Sequence, residues 1–345
     1  MAVNARGPEA VARGLEAWAA RRLPDHPGLR VAEACAPAGG ASSETWLLRV
    51  NWDRGGARKA ARWVLRIEAR ANQIYQDPSV ERQFRTMQAL ARQTDVPVPQ
   101  TLWMELDPAV LGAPFFLMEH VEGRTQPNRY HSSGVLFEAS PAARERMWLS
   151  SIEVLARVHR ADSADFAFLG YPKGGGDGVA QELARWDDYL DWAGLTHPVL
   201  TRGRRWLEDN RPATAGLGLA WGDARLGNVV FERGAAAALL DWETASLGGA
   251  ETDLGWWIYY DRIIAEGSGV PRLEGVGGPM ETIAAWESFS GRKARDMEWH
   301  EVFATWRFAM ISERAVGLGI AAGRRPPGEA GEGNPAVRRL RELVG

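Results

Sequence analysis

Cysteine is nearly absent from the 345-residue sequence: Cys35 is the only one. One thiol can neither close an intrachain disulfide nor build a thiolate metal cage. Lysine is almost as scarce, so chemistry that needs an ammonium group has only Lys59, Lys173 and Lys293 to draw on. There is no basic excess either. The formal net charge is −3, which argues against the electrostatic footprint of a nucleic-acid binder. No apolar run approaches the roughly 20 residues of a membrane span, and the opening stretch with Arg6 and Arg13 lacks the apolar core of a secretory signal. The phosphate cradle G-x-x-x-x-G-K-[ST] is also missing. These absences lead us to expect a cytoplasmic protein with neither nucleic acid nor membrane as partner, and they leave its oligomeric state unknown.

What remains is the composition of an ordinary globular chain, 45% hydrophobic and 25% charged, long enough for a two-lobed unit. Behind Pro8, the residues Val11, Leu15, Trp18 and Leu23 fall near helical spacing and predict an amphipathic opening helix. The runs VAEACA, TWLLRVNW and ARWVLRIEA read as strands separated by Gly-rich turns. Asp77-Pro78-Ser79 can start a helix from Val80 to Arg92, and the prolines of TDVPVPQ end it. QTLWMEL and APFFLMEHV read as two further strands. After Gly123 the pattern becomes helical, over 141–160, 180–210 and 281–320, with short strands around AWGD, NVVFE and AALLDW. Loops are expected at 173–178, at 265–279 and at 323–335, ahead of a last short helix.

Chemistry concentrates in WGDARLGN (221–228) and in LLDWETASLGGAETDL (239–254). Phosphoryl transfer asks for a positioned nucleophile and for cations across the phosphates. Asp223 on a loop can accept the proton of an attacking hydroxyl. Asn228, five residues on, and Asp241, beyond a strand pair, offer the hard oxygen ligands that suit magnesium. The Asp-to-Asn spacing is that of a protein-kinase catalytic loop, and Asp241-Trp242-Glu243 falls where such enzymes place a metal-binding Asp. Taken singly, each residue also fits a hydrogen-bonding turn.

The ensemble resembles the aminoglycoside phosphotransferase family, also called the phosphotransferase enzyme family, of kinase-like small-molecule kinases. Besides the two motifs, PVP at 97–99, FFLMEHVEG at 115–123 and LARVHRAD at 155–162 follow in family order over about residues 30–260. The resemblance implies an α+β, protein-kinase-like two-lobed fold. Residues 1–118 would form a small antiparallel-sheet N-lobe, 119–123 a hinge, and 124–345 a larger helical C-lobe. ATP, with GTP as an alternative, and Mg2+ are the implied cofactors. Asp223 corresponds to the catalytic base, and Asn228 and Asp241 to metal ligands. Asp253 corresponds to an Asp that braces the catalytic loop, and His159 to a structural His. Met118, Glu119, His120 and Val121 match the stretch that pairs with the adenine edge. Gly39, Gly40, Ser42 and Ser43 occupy the turn between the first two strands, where backbone N–H groups and hydroxyls can cap phosphates.

Three positions depart from the family pattern. Trp221 replaces the His at the head of the catalytic loop. Arg66 stands where a lysine pairs with the phosphates; it keeps the charge but differs in shape. Gln83 stands where a Glu anchors that lysine. The last two keep a second reading open, a catalytically degenerate nucleotide- or ligand-binding module. For the small-molecule hydroxyl substrate, Trp186, Asp187, Tyr189 and Glu243 are candidate acceptor-site residues, since a lid over the acceptor often arises around 186–192 in related enzymes. The same segment reads more readily as an amphipathic helix with a packed aromatic stripe and a solvated acidic face. The acceptor is thus open among an aminoglycoside, another antibiotic, a hydroxylated metabolite and an acyl-CoA-type alcohol.

Overall fold

The strand-forming runs of the first third pair into one five-stranded antiparallel sheet. Its strands are β1 (Arg30–Cys35), β2 (Glu44–Arg54), β3 (Ala57–Ile67), β4 (Thr101–Glu105) and β5 (Phe115–Glu119), in the order β1-β2-β3-β5-β4. The computed structural model describes residues 6–37, 44–71, 73–213 and 216–345. Alternation dictates the faces. Trp46, Leu48 and Val50 on β2, with Trp63, Leu65 and Ile67 on β3, are buried against Val11, Leu15 and Trp18 of α1 (Pro8–Arg22). Trp18 stacks edge-on to Phe115 and donates its Nε1–H to Glu105 at 2.9 Å. On β5, Phe116 meets Phe84 of α2 (Val80–Gln93) with ring centroids 5.9 Å apart. Ser79 opens α2, its hydroxyl accepting the Arg82 N–H at 3.2 Å.

The chain divides into two compact units, Met1–Gln88 with Pro99–Val121 and Ala89–Val98 with Glu122–Gly345. The second unit is mostly helical. It contains α3 (Gly134–Glu138), α4 (Pro141–Val158), α5 (Gly178–Ala193), α6 (Pro198–Asp209), α7 (Ala250–Ala265), α8 (Pro279–Ser290), α9 (Met297–Ala321) and α10 (Pro335–Val344). Its one hairpin among the described residues is β6 (Val229–Glu232) with β7 (Ala235–Leu239). The helical stretches expected at 180–210 and 281–320 each break in two, where Gly194 and Gly291 end α5 and α8 in the left-handed conformation. AWGD forms no strand; Ala220 makes only an isolated antiparallel bridge to Ser246. Among the described residues no helix is long and apolar enough to cross a membrane.

Candidate active site

The backbone of 219–223 is bent into place by a glycine and a buried carboxylate. Gly222 has φ +88°, and a Cβ there would lie 2.1 Å from the Thr244 carbonyl oxygen. Asp253, fully buried on the first turn of α7, accepts the N–H of Trp221 at 2.6 Å and of Gly222 at 2.8 Å. His159 adds a third bond, Nε2 to the same carboxylate at 2.9 Å, while Trp286 Nε1–H donates to His159 Nδ1 at 2.9 Å. Because the indole can only donate, Nδ1 accepts and the proton of the ring sits on Nε2. Asp253 therefore braces the loop and His159 orients Asp253. Trp221 is a packing residue: its ring lies 5.7 Å from Trp242, and its Nε1–H donates to the Leu240 carbonyl at 2.7 Å.

Three donors converge on the Asp223 carboxylate. Arg225 Nε lies 3.1 and 3.0 Å from its two oxygens, Asn228 Nδ2 donates to Oδ2 at 2.7 Å, and Trp256 Nε1 donates to Oδ1 at 2.9 Å. Asn228 Nδ2 also donates to the Asp223 backbone carbonyl at 3.0 Å. Both partners are acceptors, so the amide orientation is fixed and Oδ1 is the atom Asn228 presents elsewhere. The β6–β7 hairpin brings Asp241 alongside. Val229 pairs with Leu239, and the Leu240 N–H donates to the Asn228 carbonyl at 2.9 Å, one residue before Asp241. Asp241 itself takes a left-handed backbone, φ +57°. Burial works against the charge of Arg225, but the Asp223 carboxylate, Tyr260 and Asp241 outweigh it and hold the guanidinium above its ordinary pKa. Arg225 also lies 4.9 Å over the Tyr260 ring and donates to Asn128 Oδ1 at 2.8 Å.

Asp223, Asn228 and Asp241 are thus gathered within the helical unit. Among the described residues no group of three or more His, Cys, Asp or Glu side chains could hold a metal. An amide oxygen and one carboxylate still fit magnesium, which keeps several waters and leans on substrate phosphates. Of the acceptor candidates, Trp186 and Tyr189 are buried in α5 with ring centroids 5.0 Å apart, and Glu243 is buried in the turn after Asp241. Asp187 is ion-paired with Arg204 at 2.7 Å.

In the sheet unit, Gly39, Gly40, Ser42 and Ser43 lie outside the described residues. Arg66 Nη2 donates to the buried Gln83 Oε1 at 3.4 Å. Met118 and Glu119 end β5, followed by His120 and Val121. The N–H of Glu119 donates to the Gln100 carbonyl at 2.9 Å and that of His120 to the Arg62 carbonyl at 3.1 Å, so neither is a donor for an adenine edge. Sequence reasoning assigned no site role to Arg225, Asn128, Trp256 or Tyr260. Only Arg225 had a local signal, standing two residues from Asp223 inside the motif.

A small antiparallel-sheet unit and a larger helical unit carrying this loop define a protein-kinase-like fold. Residues 33–289 match the model of the Phosphotransferase enzyme family, and the chain belongs to that family. Among solved structures, it is similar to a Ralstonia eutropha protein carrying an aminoglycoside phosphotransferase label. That pair has a TM-score of 0.69 and 24% identity, covering 96% of this chain and 95% of that one. It is also similar to aminoglycoside phosphotransferase APH(4)-Ia in ternary complex with AMP-PNP and hygromycin B. There the TM-score is 0.58 and identity 13%, over 96% of this chain and 98% of that one. Among curated proteins, 28% identity over 298 residues links it to an Arabidopsis thaliana protein named as acyl-CoA dehydrogenase IBR3, covering 79% of this chain and 34% of that protein. A Mus musculus protein named acyl-CoA dehydrogenase family member 10 is 31% identical over 181 residues, 52% of this chain and 16% of that protein. The chain spans about a third or less of the length of these curated relatives.

Proposed function

We propose that the chain transfers the γ-phosphoryl group of ATP, with magnesium, to a hydroxyl of a small molecule in the cytoplasm. One arrangement carries the reading: Asn228 is locked by its NH2 to Asp223, and the hairpin sets Asp241 beside it. Asn228 Oδ1 and the Asp241 carboxylate would hold the metal, which when bound supplies positive charge across the phosphates. Asp223, oriented by Arg225, Asn228 and Trp256, accepts the hydroxyl proton. As that oxygen bonds to the γ-phosphorus, the bond to the β–γ bridging oxygen breaks and ADP leaves. Gly39, Gly40, Ser42, Ser43 and Arg66 would meet the phosphates, and Met118–Val121 the base through groups other than the Glu119 and His120 N–H, with GTP an alternative nucleotide.

For the acceptor, a hydroxyacyl thioester of coenzyme A is favoured over an aminoglycoside. Relatives named acyl-CoA dehydrogenases contain a segment like this chain. Two of the α5 acidic residues that would suit a polycation are already ion-paired, Asp187 with Arg204 and Asp188 with Lys173 at 2.5 Å. Trp186, Tyr189 and Glu243 remain the candidate acceptor-side groups. The non-catalytic alternative draws on one observation, the hydrogen bond from Arg66 to Gln83 Oε1 where the family pattern has a Lys and a Glu.

The test is calorimetric titration of ATP and GTP with and without magnesium, followed by ADP release with hydroxybutyryl-CoA and with hygromycin B. Asp241→Ala should abolish metal-dependent nucleotide binding. Asp223→Asn should spare binding and lower turnover by about 100-fold or more. Full turnover in Asp223→Asn would refute the base assignment. Binding indifferent to both magnesium and Asp241 would favour the non-catalytic module.

A further inference from the structure

α9 carries a charge that the phosphotransfer reading has not used. Arg307 is only 2% exposed, and its single hydrogen bond among the described residues runs from Nη2 to the Gly222 carbonyl at 3.1 Å. Its Nε and Nη1 are buried with no hydrogen-bond partner among the described residues. Among the described residues no carboxylate is ion-paired with it; aromatic faces surround it instead. The guanidinium carbon lies 4.7 Å from the Trp186 ring centroid, 4.6 Å from Trp256 and 5.6 Å from Phe303. A permanent cation buried without a counter-ion is costly, and a ring quadrupole offsets only part of that cost. A methionine would fill such an aromatic slot without the cost.

What the cation touches gives it a use. The Gly222 residue is held from both sides, its N–H by Asp253 and its C=O by Arg307. The next residue is Asp223. Trp256, whose face lies against Arg307, donates its indole N–H to Asp223 Oδ1. A cation on the face of an indole draws electron density from the ring and makes the N–H a stronger donor.

We propose that Arg307 is a positioning residue that fixes the Asp223 carboxylate for reaction through two contacts, the Gly222 carbonyl and the Trp256 ring. The proposal rests on the reading of Asp223 as the base. It implies that Arg307 acts on the chemical step and leaves substrate affinity alone.

The experiment compares Arg307→Met, Arg307→Lys, Trp256→Phe and the Arg307→Met/Trp256→Phe double variant in the full chain. The readouts are Mg·ATP binding, ADP release with hydroxybutyryl-CoA or, if that is no acceptor, with water, and amide hydrogen exchange of the peptide spanning 219–228. Arg307→Met should bind Mg·ATP as the parent does, exchange faster in 219–228, and lose about 10- to 100-fold in kcat with KM little changed. Arg307→Lys, which keeps the charge, should recover part of that loss. Trp256→Phe keeps the aromatic face but not the N–H, and should lose kcat in the same way. The double variant should cost about as much as the worse single change. Parental kcat and parental exchange in Arg307→Met would overturn the proposal. If Arg307→Met does not fold, parental kcat in Trp256→Phe would do so. Asp223→Asn is measured alongside. Turnover surviving there refutes the base assignment and the brace with it; turnover lost there but intact in Arg307→Met refutes the brace alone.

Discussion

Asp253→Asn isolates the brace beneath the catalytic loop, because it keeps the side chain's size and removes one acceptor. In the native protein Oδ2 accepts from Trp221 N–H and from His159, and Oδ1 accepts from Gly222 N–H. The asparagine carbonyl can take over the Oδ2 position. Its NH2 must then face the Gly222 N–H, donor against donor, at a site with no exposure to water. A hydrogen bond to a charged group contributes about 1.5–3 kcal/mol. One is lost outright and two lose their charged acceptor, which puts the cost at about 3–5 kcal/mol, in line with breaking a buried charged network. Urea unfolding followed by tryptophan fluorescence reads this directly. The same loss should lower the thermal midpoint by roughly 10 °C for a unit of this size. A loss below about 1 kcal/mol at unchanged m-value would refute the reasoning, since three buried donors cannot be that indifferent to their acceptor.

Gly222→Ala places a methyl group 2.1 Å from the Thr244 carbonyl and forces a left-handed residue to carry a Cβ. We expect about a 100-fold loss in kcat from a displaced Asp223, with nucleotide affinity nearly unchanged by calorimetry. His300, buried in α9, has its pKa lowered to about 3 by desolvation. Below about 6.5 the unfolded chain therefore binds a proton that the folded chain refuses, so stability falls as pH drops, by about 1.4 kcal/mol per unit. Between pH 7 and 5 the parent should lose about 2 kcal/mol more than His300→Leu in urea titrations; equal losses in the two proteins would refute this.

Local regularity made much of the fold legible. Val11, Leu15 and Trp18 mark the buried stripe of α1, and alternation along β2 and β3 predicts which side chains face it. α7 escaped notice because AETDLGWWIYYDRIIA is buried on almost every side, so its apolar residues show no helical stripe to read. AWGD looked like a strand because Ala220 and Trp221 are apolar, but the positive φ of Gly222 turns the chain out of extension. The loop triad was readable because Asp223 and Asn228 are close in sequence and Asp241 follows a simple hairpin. Trp256 lies 33 residues from Asp223, and Arg307 lies 85 from Gly222. No spacing rule reaches that far. Only the packing of α7 and α9 brings those side chains to the loop.

The left-handed backbone of Asp241 bears on how this protein can change. Such a conformation costs an L-residue about 1 kcal/mol, which glycine avoids. Mutation to glycine relieves that strain, while the same step removes the carboxylate and its attraction for Arg225. Selection for backbone relief alone would favour glycine at this position, and selection for phosphotransfer would hold aspartate. Activity screens of variants should enrich the second. Position 241 is a place where those two pressures can be told apart by a single residue.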